Sequence, residues 1–139
     1  MTDQQTKLED LLRDRSLKAT PKRLELLEVI RNYNSAIPYS QIQKKLKHFD
    51  RVTLYRTLKA LLDVGIIHKA TVSTDDTYYA MCKHHCSVEG HHHKHVHFKC
   101  NVCAEVSCVE TSNQIQVHIP NVTIEQVEIE VSGTCEKCM

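Results

Sequence analysis

The chain has 139 residues, 41% of them hydrophobic but only 5% aromatic and none Trp, so a core must come from Leu, Ile and Val in one ordinary domain or two small ones. No apolar run approaches the ~18 residues that cross a bilayer, and MTDQQTKLEDLL lacks a secretion signal's apolar stretch, so a soluble cytoplasmic protein with no membrane partner is expected. The net charge of +1 hides an asymmetry, +6 over residues 1–70 and −5 over residues 71–139, which fits a basic half facing a polyanion, although solvated faces of unequal charge fit as well.

In chain order, TKLEDLLRDR places Leu8, Leu11 and Leu12 on one helical face. A second helix starts at ATPKR, where Thr20 suits the N-cap and Pro21 the first helical position. Leu24, Leu27 and Ile30 follow at helical spacing, and NYNSAIP breaks the pattern. Ser40 with Gln43 fits a capping box for a third helix, QIQKKL. The fourth helix, about 51–63, reads RVTLYRTLKALLD. Leu54, Leu58, Leu61 and Leu62 make its apolar stripe. At 100° per residue Arg56 points away from that stripe, Thr53 and Lys59 flank it, and Tyr55 sits at its edge. Gly65 suits the end of this helix. IIHKATV and TYYAM then flank the turn STDD and read as a β-hairpin. Short helices followed by such a hairpin make a winged helix-turn-helix, whose second motif helix enters the major groove of DNA.

Residues 83–94 read as a polar, His-rich loop. HVHFKC and EVSCVE look like short strands around a Cys-x-x-C, and residues 115–119 and 122–131 look like strands again. The fold class is therefore α+β: a winged-helix domain over residues 1–82, a hinge loop over 83–94, and a small β-rich domain over 95–139.

All seven cysteines lie in the second half. Without a secretion signal, metal ligation outranks disulfides. Cys100, Cys103, Cys135 and Cys138 form two Cys-x-x-C knuckles, which complete the tetrahedral thiolate shell that zinc prefers. Chance rarely gives two such pairs in a short chain. An iron–sulfur cluster has the same ligand count and is less favoured. Zinc here would supply folding energy to a domain too small to hold itself together.

A second site draws on what remains. His95 and His97 alternate onto one strand face, and Cys108 follows on the paired strand. His68 and Cys82 are symmetric about residue 75 and would face each other across the hairpin. Taken singly, each histidine fits a surface or satisfied core residue equally well, and Cys82 a small buried apolar side chain. As a set they favour a mixed nitrogen–sulfur site fed from both halves, which suits Zn(II) better than oxygen-seeking ions. His84, His85, His91, His92 and His93 show no periodic logic and read as a solvated loop, with His93 a substitute ligand. Cys86 has no clear partner.

These stretches resemble the ferric-uptake-regulator family of metal-responsive repressors over nearly the whole chain. ATPKRLELLEVI resembles its second helix, VTLYRTLKALLDVGIIHK its recognition helix and wing, HVHFKCNVC its His-x-His and first knuckle, and GTCEKC its closing knuckle. The resemblance implies a winged helix joined to a C-terminal dimerisation domain, with a regulatory metal at the hinge. It puts the base-reading pair on Tyr55 and Arg56, regulatory histidines on His95 and His97, and the usual acidic ligand on Cys108. Cys82 and His68 match positions used by the zinc-uptake-regulator branch. Three departures stand out. Ile115–Pro120 is too short and β-like for the helix usual between the knuckles, so the dimer interface is expected to be remodelled. Lys94 and Val96 occupy positions where a further metal site would need ligands. A histidine common in the last strand is replaced near Val127.

The expectation is a homodimeric, zinc-dependent repressor of metal-uptake genes on a palindromic operator in double-stranded DNA. It would carry structural and regulatory Zn(II), with Lys22, Arg23, Arg51 and Lys59 on phosphates. The alternative is a family sensor of iron, manganese or peroxide. A zinc enzyme is disfavoured because neither HExxH nor H-x-E…P-C-x-x-C occurs. A zinc buffer would bind metal without reading DNA sequence.

Overall fold

The computed structural model describes residues 3–33, 35–70, 76–81, 95–110, 116–125 and 127–139, without the side chains of His95 and Glu110. The expected Cys82 and His93, with the rest of the His-rich loop, lie outside the described residues. Helix α1 spans Asp3–Asp14 and α2 spans Pro21–Asn32. Thr20 caps α2 as its sequence predicts, its Oγ1 accepting from the Arg23 N–H at 3.3 Å. Strand β1 (Ile37–Pro38), helix α3 (Tyr39–Lys45) and helix α4 (Arg51–Asp63) follow.

The capping box expected at Ser40 and Gln43 does not form. Pro38 is the N-cap of α3 and makes no side-chain cap bond. The Ser40 hydroxyl instead donates to Asp76 Oδ2 at 2.6 Å, tying α3 to the segment that enters β3. A nearby carboxylate on a neighbouring element won over a local glutamine.

Strands β2 (Ile67–Ala70) and β3 (Tyr78–Met81) make the hairpin, and β1 adds to it in the order β1-β3-β2. The register differs from the symmetric one expected from the sequence. His68 pairs with Ala80, not Cys82, so the strands pair about residue 74 and not about residue 75. One face of this sheet sends Ile37, Ile67 and Tyr79 into a core shared with Leu12, Leu26, Leu27, Ile42 and Leu61. No described helix is long and apolar enough to cross a membrane.

The second sheet has the order β5-β4-β6, from β4 (His95–Cys100), β5 (Val106–Glu110) and β6 (Glu130–Gly133). The first two strands match expectation. The strands expected over 115–119 and 122–131 do not form as such: among the described residues, only the end of that stretch becomes β6, parallel to β4. Val117, Ile119, Val122, Ile124 and Val127 sit in stretches with the alternation of a strand, but all are exposed, and among the described residues no second sheet layer covers them.

Candidate metal centres and nucleic-acid face

Strand β4 ends at Cys100, and the chain turns at Ala104, which takes a positive φ of 63°. The turn is closed by the Ala104 N–H on the Cys100 carbonyl at 3.0 Å. The second knuckle follows β6 as a single 3-10 turn, Glu136–Cys138, with the Cys138 N–H on the Cys135 carbonyl. The parallel pairing of Cys100 with Gly133 brings the knuckles together. All four sulfurs then lie within 4.8 Å of one another, with Cys103 and Cys135 Sγ 3.8 Å apart. A tetrahedron with metal–sulfur bonds of ~2.3 Å has sulfur–sulfur edges of ~3.8 Å, so the spacing fits one ion.

The electrostatics of the cluster agree. Cys100 is fully buried, and backbone N–H groups of Cys103, Cys135 and Val102 lower its thiol to about 6. Cys138 is pushed up to about 12, first by its hydrogen bond with Cys135 and then by burial. One sulfur is thus prepared as a thiolate, and Cys103 and Cys138 resist ionising beside it. A bound cation relieves that conflict. Across the knuckles, Lys137 meets Glu105 at 3.4 Å.

The second centre lies between the two sheets. His97 and Cys108 are directly paired across β4 and β5. His68 comes from β2 of the other sheet, its Nε2 3.2 Å from Cys108 Sγ and its ring stacked on that of His97 at 5.8 Å and 14°. Ligand atoms of all three lie within 4.8 Å. Of the five residues expected here, the structure therefore brings together His68, His97 and Cys108. Residue 95 opens β4 opposite residue 110, and Cys82 falls outside the described residues.

The third feature is the outer face of α4. Its buried stripe is Leu54, Thr57, Leu58 and Leu61, with Leu62 partly buried. Arg51, Val52, Tyr55, Arg56 and Lys59 face outward, Tyr55 at 64% exposure. Asp50 caps the helix, accepting from the Thr53 N–H at 2.6 Å, and this bond holds its carboxyl below the usual range. Lys59 pairs with Asp63 at 2.9 Å, and Lys22 lies over the Phe49 ring. A cleft of about 470 Å³ runs between α2 and α4, lined by Thr20, Pro21, Lys22, Arg23, Arg56 and Thr57. Three of its six lining residues are cationic, which suits an anionic backbone.

Sequence reasoning missed Asp50, although an Asp before an apolar-periodic run is an ordinary helix start. It also missed the bond from the Ala36 N–H to the Val106 carbonyl at 2.7 Å, which joins the two sheets.

The model of the ferric uptake regulator family matches residues 14–132. The chain belongs to the ferric uptake regulator family. It is accordingly a metal-responsive transcriptional regulator and not an enzyme. The ferric uptake regulation protein of Staphylococcus epidermidis is 31% identical over 134 residues, covering 92% of this chain and 91% of that protein. Its Staphylococcus aureus counterpart is 29% identical over 136 residues, covering 92% and 93%. Among solved structures, a zinc uptake regulator complexed with zinc and DNA aligns with a TM-score of 0.69 at 21% identity, over 98% of this chain and 93% of that one. The Vibrio cholerae ferric uptake regulator aligns at 0.60 and 22% identity, over 91% and 98%. These two likenesses show that the fold is the family's.

Proposed function

We propose that this family member is a dimeric, zinc-dependent repressor that controls metal-uptake genes by binding a palindromic operator. The observation that carries the reading is the convergence of His68 from the winged-helix sheet with His97 and Cys108 from the cysteine-rich sheet. An ion held there grips both halves, and its binding energy favours one arrangement of the DNA-binding faces. Two imidazoles and a thiolate are a borderline-soft set that suits Zn(II). Cys82 or His95 completes the shell. Zn(II) at Cys100, Cys103, Cys135 and Cys138 holds the second sheet together, and metal binding here is folding energy.

In this reading residues 1–82 bind DNA, 83–94 form the hinge and 95–139 dimerise. The apolar side chains exposed from Val117 to Val131 supply a face for a second copy. Tyr55 and Arg56 read bases. Arg51, Thr53, Lys59, Lys22 and Arg23 hold the phosphate backbone, and the cleft between α2 and α4 contributes to that grip. Arg56→Ala is expected to weaken binding to the operator by ten- to a hundredfold while leaving metal content unchanged. Operator footprints identical to wild type would remove Arg56 from base reading.

A second reading, an iron sensor, is favoured by one observation: the curated relatives are ferric uptake regulation proteins. Titrating Zn(II) against Fe(II) under anaerobic conditions, with operator binding as the readout, separates the two. The thiolate of Cys108 favours zinc, since softer ligands discriminate against Fe(II).

A further inference from the structure

The sheet β1-β3-β2 has two unlike faces. The face carrying Ile37, Ile67 and Tyr79 is buried in the helical core. The opposite face carries Ala36, Ala70 and Ala80 beside Tyr78, and packs on Val106 and Cys108 of β5. His68 stands in the same row, paired with Ala80. Ala36 and Ala70 are each 3% exposed and Val106 is 1% exposed, so this small cluster is as buried as the main core. The Ala36 N–H closes it with a 2.7 Å bond to the Val106 carbonyl.

We infer that Ala36, Ala70 and Val106 form a latch between the two sheets that positions His68 against His97 and Cys108, and so sets the affinity of the inter-sheet metal site. The inference rests on the reading of that site as a metal centre. Ala70 is two residues from His68 on one strand, and Val106 is two residues from Cys108 on the other. Each half of the latch is therefore one pleat, about 7 Å, from a ligand. Methyl side chains let the strands approach closely enough for an imidazole from one to reach a thiol on the other. Metal–ligand distances tolerate only about ±0.2 Å, whereas an isobutyl group in place of the methyl at position 70 would separate the sheets by more than that. Coupling is reciprocal: if the latch favours metal, metal must tighten the latch.

The test uses the full-length protein with Zn(II) titrated against a chromophoric chelator. Ala70→Leu over-packs the latch and Val106→Ala under-packs it. Both are expected to keep the four-cysteine ion and to bind the second zinc at least about tenfold more weakly. Operator binding of both should return to wild-type strength at saturating zinc, which a merely unfolded variant would not do. The amide of Ala36 should exchange with solvent more slowly when the second zinc binds, a readout that needs no variant at all. If both variants bind the second zinc like wild type, or the Ala36 amide exchanges at the same rate with and without it, the latch is wrong. Cys108→Ser separates the two levels. Its loss of the second zinc upholds the site even where the latch fails, and its retention of that zinc overturns the site and the latch with it.

Discussion

In the proposed function, Cys108 is the residue on which metal choice turns. Its sulfur lies 3.2 Å from His68 Nε2 and the residue pairs across the sheet with His97, so an ion held there would meet the thiol and both imidazoles together. A thiolate there draws zinc, and a carboxylate would draw harder ions. Cys108→Asp is accordingly expected to shift preference from Zn(II) towards Mn(II) or Fe(II) by about tenfold or more, read by competition for operator binding. An unchanged preference would locate selectivity elsewhere. The sequence placed this residue on the strand paired with HVHFKC, and the structure sets it directly opposite His97.

At the scale of the element, α4 shows which parts of a fold can be read locally. Its apolar stripe, its start at residue 51 and its end at Gly65, whose φ of 76° suits the exit of a helix, all follow from spacing and chemistry within the segment. Asp50 adds a testable property. The Thr53 N–H, followed by the Thr53 hydroxyl, lowers the Asp50 carboxyl below its ordinary value. A lowered folded-state pKa stabilises above the unfolded value of ~3.9, and that contribution disappears as pH falls through the folded value. Asp50→Asn keeps a capping oxygen without the charge. The melting temperature of wild type is expected to exceed that of Asp50→Asn at pH 6, and the gap should close on acidification below pH 4. A gap that persists unchanged at low pH would mean that the ionised carboxylate contributes nothing. The wing illustrates the opposite case. Its register sets His68 opposite Ala80, which symmetry about residue 75 misplaced. Strand β1, only two residues long, exists because β3 offers it an edge, which no local pattern announces. The stretch before β6 reads as a strand by alternation, but strands need a partner layer, and its apolar side chains are exposed among the described residues.

For the whole molecule, the charge asymmetry acquires a physical sense. The basic half presents Arg51, Arg56, Lys22 and Arg23 around one cleft and one helix face, and the cysteine-rich half meets it through the small sheet-to-sheet core. The four-cysteine centre was fully legible because two knuckles at fixed spacing carry their own geometry. Of the five residues read for the inter-sheet centre, the structure brings His68, His97 and Cys108 together, and the packing that does so was not legible. Ligand types are local chemistry, whereas the approach of two sheets depends on Ala36 and Ala70, residues with no chemical signature. The central claim is that an ion is shared between the halves, separate from the four-cysteine ion. Zinc content per chain, measured on purified wild type and His68→Ala, tests it most directly. Two zinc ions are expected in wild type and one in the variant, with the fold and the four-cysteine site intact. Two zinc ions retained by His68→Ala would contradict it.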